Sequence, residues 1–220
     1  MIALQLLRND IKPLKPEDKV FMAHQLMDEY KVTHLPIIDA GEYLGLVSEG
    51  DLLDAQDENL SVHDGSSRLV RAFISSDKHL FDAIDVFHEN RLSMLPVLDT
   101  SEQYMGYLHP QDIVVNMGSM LSTKIPGAIV VLEVNQHDYQ MSQIAQIVEG
   151  NDAKIVASYI TSHPSSTNIE VTLRINRKDL TAILQTFQRY DYTISATYHE
   201  SLHTVDMKDR FDNFMNYLNM

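Results

Sequence analysis

The sequence predicts an α+β chain of two parts, and three observations carry that prediction. A unit of about sixty residues occurs twice, as HLPIIDAGEYLGLVSEGDL from His34 to Leu52 and as MLPVLDTSEQYMGYLHPQDIV from Met94 to Val114. Pro96 answers Pro36 and Asp99 answers Asp39; after one inserted residue, Gly106 answers Gly45 and Asp112 answers Asp51. From Gly127 the pattern changes to a single βαββαβ series, in which Ile169, Val171, Leu173 and Ile175 alternate strictly, as a strand does.

Each copy reads as extended segment, helix, strand, strand, helix. In the first, Pro13 and Pro16 favour extended chain. Val20, Ala23, Leu26, Met27 and Tyr30 then form one helical face, with Glu17 and Asp18 placed for the first turn. A strand-like run from His34 to Ile38 is interrupted by Pro36; a turn at Asp39–Gly41 leads to a second run, Tyr43 to Val47. The second copy follows suit: Ile74-Ser75-Ser76-Asp77, then Leu80, Ala83, Ile84 and Phe87 at helical spacing. Closing helices start near Gly50 and at Pro110, a position that tolerates proline.

Gly118, Ser119, Ser122, Thr123 and Pro126 suggest a linker. Beyond it, the nearly continuous apolar run Ala128–Val134 predicts a central strand. Met141, Ile144, Ala145 and Val148 predict a helix that Gly150-Asn151 can stop. Ile155–Ile160 is a strand, and residues 163–166 form a hairpin loop. Asn176 and Asp179 suit a helix start before Leu180, Ile183, Leu184 and Phe187. Tyr192, Ile194, Ala196 and Tyr198 close the series, which is the ferredoxin-like order. In the tail, Met207, Phe211, Phe214 and Leu218 share one helical face. The expected division is 1–62 and 63–121 for the two copies, 122–126 for the linker, 127–200 for the βαββαβ unit and 201–220 for the tail helix.

His34-Leu35-Pro36-Ile37-Ile38-Asp39 followed by Gly45-Leu46-Val47-Ser48-Glu49-Gly50-Asp51 resembles the motif of a CBS domain, the repeat named after cystathionine β-synthase. The duplicate makes residues 1–121 similar to a complete CBS pair. The resemblance implies two βαββα units packed through their sheets, often paired again into a disc-shaped dimer. It also implies two clefts between the units, which in many members bind AMP, ADP, ATP or S-adenosylmethionine. A helix beginning near Ser48 offers amide N–H groups to a phosphate, and the Ser48 hydroxyl adds a donor. Asp51 takes the family's ribose-binding position, and His34 the position of a basic side chain directed at phosphate. Ile74 and Val97 stand where the purine would lie. A structural reading applies equally: Ser48-x-x-Asp51 is close to a capping box. The second copy has His109 for the hydroxyl, Met94 for the histidine and Pro110 for an amide donor, while Asp112 is retained. Unequal clefts follow, with the one at Asp51 the better candidate. Without a basic cluster beside either carboxylate, a triphosphate fits less well than AMP, ADP or another adenosine compound.

Residues 127–199 resemble an ACT domain in element order, length and the opening Gly127-Ala128-Ile129. ACT domains bind amino acids near a glycine-containing turn after the first strand. Here that turn, Asn135 to Tyr139, has neither glycine nor proline, which favours a dimerisation role over amino-acid binding. A CBS pair followed by an ACT-like domain is similar to the acetoin-utilisation type of bacterial CBS protein.

Composition excludes several classes. With no cysteine, disulfide scaffolds and thiol chemistry are out, which fits the cytoplasm. A net charge of −14 opposes wrapping nucleic acid or lying on an anionic membrane. No HExxH, G-x-S-x-G or P-loop pattern occurs, and His199 with His203 ends a strand rather than opening a metal-binding helix. The expectation is a non-enzymatic, homodimeric regulatory protein with no required cofactor. It would sense an adenosine compound and act on an unidentified effector protein. The alternatives are a scaffold with ligand-free clefts and an enzyme on a small substrate.

Overall fold

The structure, a computed structural model, describes residues 1–53, 57–66, 68–164 and 166–198. The helix expected over 201–220 and the His199/His203 pair lie outside the described residues. The chain divides into two compact units, Met1–Asn116 and Met117–Met220.

In the first unit the two copies repeat one plan. Copy one contains α1 (Val20–Tyr30), β1 (His34–Asp39), β2 (Glu42–Ser48) and α2 (Glu49–Leu53); the short α3 (Val62–Gly65) follows. Copy two contains β3 (Ile74–Ser75), α4 (Leu80–Asn90), β4 (Leu95–Leu98), β5 (Tyr104–Leu108) and α5 (Pro110–Met120). Helices α1 and α4 end identically, with Lys31 and Arg91 in the left-handed conformation at φ 54° and 52°. Two of the expected details change. Glu17 and Asp18 precede α1, whose N-cap is Lys19; the Asp18 carboxylate instead accepts the Lys15 N–H at 2.8 Å. Strand β1 also runs unbroken through Pro36, whose carbonyl accepts the Leu14 N–H at 2.8 Å.

The segments leading into the copies are exchanged. Residues 1–8 pair with copy two, through Ile2 with His79 and Arg8 with Tyr107. Residues 61–70 pair with copy one, through Ser61 with Lys19 and Val70 with Leu46. Gly45 and Gly106, both at φ 153°, permit these approaches. A Cβ on Gly106 would collide with the Arg8 carbonyl oxygen, and one on Gly45 would stand 3.0 Å from Leu69 Cβ. The glycines recur because each must admit the other copy's leading segment.

The second unit has the expected βαββαβ order: β6 (Ala128–Asn135), α6 (Met141–Glu149), β7 (Ile155–Ser162), β8 (Asn168–Ile175), α7 (Thr181–Arg189) and β9 (Thr193–Tyr198). Its strands lie in the order β7-β8-β6-β9, all antiparallel, so the apolar β6 is central as its composition predicts. Ala128, Val130 and Leu132 of β6 pack with Val171 and Leu173 of β8 in one core with Ile144, Val148, Ile183 and Phe187 of the helices. Helix α6 stops at Gly150 as expected; Gly150 itself remains right-handed at φ −65°, and Asp152 makes the left-handed turn at φ 54°. The expected linker residues are tied down. Arg174 of β8 donates to the carbonyls of Ser122, Thr123 and Ile125, and the Ser122 hydroxyl donates to Val156 O.

Candidate functional site

Three of the expected site residues meet where the copies join. His34 and Ser48 are cross-strand partners at the open end of β1 and β2, and Asp51 follows in α2. The Asp51 N–H donates to Ser48 Oγ at 3.1 Å, and that hydroxyl donates back to Asp51 Oδ2 at 2.5 Å. The cap expected from sequence is therefore present, with the carboxylate reaching the serine hydroxyl. Ser61 and Asp64 repeat the same geometry at α3, so the cap alone does not mark a ligand site. What sets Asp51 apart is its surroundings: it is part-buried, carries no ion pair among the described residues, and leaves Oδ1 without a partner there.

His34 faces copy two. Its Nδ1 lies 3.2 Å from Ser93 Oγ and accepts the Ser93 N–H at 3.3 Å, while the Thr33 N–H donates to Ser93 Oγ at 2.9 Å. Thr33 and Ser93 are equivalent residues of the two copies, so this contact marks the pseudo-twofold axis. Burial holds the imidazole below the ordinary histidine range, and the nearby Asp51 carboxylate draws it partly back. The helix end offers less than expected. Of the first amides of α2, Glu49 N–H donates to Thr33 O and Asp51 N–H to Ser48 Oγ, which leaves Gly50.

Asp112 is differently placed. Arg8, from the exchanged leading segment, grips it with two bonds of 2.6 Å, Nε to Oδ2 and a terminal nitrogen to Oδ1. Around this pair lie Asp10, which accepts the Tyr107 hydroxyl at 2.8 Å, and His109, whose Nδ1 caps α5 by accepting the Gln111 N–H. Burial and the Asp10 carboxylate push the Tyr107 phenol up to about 12. Burial first, then the Arg8 charge, hold His109 below its ordinary range. Sequence reasoning missed Arg8. The sequence carried no signal for it: only the bridges to Tyr107 and Leu46 align the leading segments and set Arg8 against Val70.

Ile74 and Val97 come together as register partners of the parallel pair β3–β4. They are core residues, 4% and 0% exposed, and so can back a cleft wall but do not offer it an open surface. A separate cavity of about 140 Å³ is lined by Pro16, Ile37, Leu44, Val62 and Leu69 with His63, Ser66 and Arg68, and by none of the expected site residues. Among the described residues no group of three or more acidic or histidine side chains is arranged to hold a metal, and no helix is long and apolar enough to cross a membrane.

Comparison with known proteins agrees with the doubled unit. Residues 3–58 and 69–118 match the CBS domain family. Inosine-5′-monophosphate dehydrogenase of Streptococcus pyogenes is 32% identical over 105 residues, which cover 46% of this chain and 21% of that enzyme. The chain thus spans about a fifth of the length of that relative. Among solved structures, a CBS domain pair/ACT domain protein from Thermotoga maritima has 24% identity and a TM-score of 0.50, covering 55% of this chain and 99% of that one. CBSX2, an Arabidopsis thaliana protein solved in complex with AMP, has 23% identity and a TM-score of 0.47, covering 54% and 97%. The exchanged leading segments, the axis at Thr33 and Ser93, and a family match that falls on both copies make the chain a tandem CBS-domain protein.

Proposed function

We propose that the chain is a non-catalytic regulatory module whose first cleft binds an adenosine compound, with Asp51 accepting hydrogen bonds from the ribose hydroxyls. The observation that carries this reading is the state of that carboxylate: part-buried, held by Ser48, and free of any ion pair among the described residues. A half-satisfied carboxylate in that setting gains by accepting two hydroxyl donors. With the Ser48 O–H given to Asp51, the Gly50 N–H and His34 are the groups nearest to hand for a phosphate. Two polar groups without a lysine or arginine suit AMP, ADP or S-adenosylmethionine better than ATP.

The module would act by changing how its copies sit against each other, a change read by an effector protein or by the βαββαβ unit, here taken as ACT-like and dimer-forming. A homodimer is supported by the outer helices of the CBS pair. Phe21 of α1 and Phe81 of α4 are equivalent residues, as are Leu53 of α2 and Val114 of α5, and all four are exposed apolar side chains. Exposed apolar residues repeated at equivalent positions of the two copies suit a second copy.

Titration calorimetry with AMP, ADP, ATP and S-adenosylmethionine tests the site. Asp51→Ala is expected to weaken the best of these by about 1–3 kcal/mol, the scale of hydrogen bonds to a charged group. Equal affinity in parent and variant would refute the assignment, and a parent unmoved by all four would favour a scaffold with empty clefts.

A further inference from the structure

We infer that Arg8 plugs the second cleft, so that the chain accepts one nucleoside at Asp51 and none at Asp112. This rests on the ligand reading above and adds a count to it. Both oxygens of Asp112 accept from the guanidinium at 2.6 Å, in the planar two-bond arrangement that makes an arginine–carboxylate pair stronger than neutral hydrogen bonds, and the pair is part-buried. Ribose hydroxyls are neutral donors and compete poorly for the same oxygens. The plug is anchored on both sides. Arg8 N–H donates to Tyr107 O at 2.8 Å and Tyr107 N–H returns to Arg8 O at 2.9 Å, an approach that Gly106 keeps open. Asp112 in turn sits in the first turn of α5, capped by His109.

The first copy supplies the control within the same molecule. Val70 makes the same two-way backbone pairing with Leu46, at 2.9 Å in each direction. Its side chain has no cation to offer Asp51. The difference between the equivalent positions Arg8 and Val70 therefore separates a carboxylate held by a cation on both oxygens from one held on Oδ2 alone. Sequence differences at His109, Pro110 and Met94 weaken the second cleft for phosphate; Arg8 closes it for the ribose as well.

The test is the number of AMP molecules bound per full-length chain, measured by equilibrium dialysis with labelled AMP. The parent is expected to bind one. Arg8→Val, which copies the first unit's arrangement, is expected to bind two, and Arg8→Val with Asp112→Ala one again. A parent that binds one and an Arg8→Val variant that also binds one overturn the plug while leaving the Asp51 site standing. A parent that binds none and a variant that binds one support the plug and sink the Asp51 site. Two molecules bound by the parent, or none by either protein, overturn the plug. Should Arg8→Val fail to fold, the reciprocal Val70→Arg decides: it is expected to lower AMP affinity at Asp51 by at least about tenfold, the consequence of losing hydrogen bonds to a carboxylate. Unchanged affinity in Val70→Arg counts against the plug.

Discussion

Gly106 shows how a single atom can matter to this fold. At φ 153° with the Arg8 carbonyl against its Cα, it has no room for a methyl group. Gly106→Ala is expected to destabilise the protein by about 1–3 kcal/mol in denaturant unfolding, the usual cost of forcing an atom into packed backbone. Gly45→Ala meets a side-chain carbon at 3.0 Å and should cost less. Equal effects would mean that the two crossings are not packed as described. His34 and His109 give the stability a pH dependence of known sign. Both are held below the ordinary value of 6.5 by burial, so folding disfavours their charged forms. Their contribution is intact at neutral pH, where folded and unfolded rings are both uncharged. It is lost as pH falls below 6.5, because the unfolded chain takes up protons that the folded chain resists. His34→Asn should flatten part of that slope in unfolding measured from about pH 7 to about pH 5. An unchanged slope would show that His34 is not the group responsible.

Among the elements, helices and strands were legible wherever a long apolar period existed. The faces of α1, α4, α6 and α7 and the alternation of β8 led directly to core residues such as Ala23, Ala83, Ile144, Phe187 and Val171. Pieces too short to show a period were not legible. The exchange of residues 1–8 and 61–70 depends on isolated backbone hydrogen bonds, such as the pairs Arg8–Tyr107 and Val70–Leu46, rather than on a periodic strand or helix, and α3 is a single turn. That Ser48, Asp51 and His34 come together was legible because the repeat and the motif placed them. Arg8 was not, because it lies outside the motif and reaches Asp112 across 104 residues of chain. Ile74 and Val97 were read as cleft lining and are core residues paired in register, since apolar sequence does not distinguish a cleft wall from a core. The outer helices carry a prediction of their own. Phe81, 57% exposed on α4, lies in the layer proposed to meet a second copy. In light scattering the parent is expected to be a dimer and Phe81→Asp a monomer, and a variant that stays dimeric would move the interface elsewhere.

For the molecule as a whole, the charge of −14 and the two units define what kind of partner suits it. Polyanions are repelled, so the ligand must be small and held by local groups, as at Asp51. If that ligand alters an effector's affinity, the effector must alter the ligand's by the same factor. A parent whose AMP affinity responds to a candidate effector therefore identifies the effector without any activity assay.

The central claim, that Asp51 holds a ribose, is tested most directly by a cycle between that side chain and the sugar. Binding of AMP and of its 2′,3′-dideoxy counterpart is measured on the parent and on Asp51→Ala. Removing the hydroxyls should weaken binding to the parent by about 1–3 kcal/mol and have almost no effect on the variant, since the group they address is already gone. The same loss in both proteins would place the sugar somewhere other than Asp51.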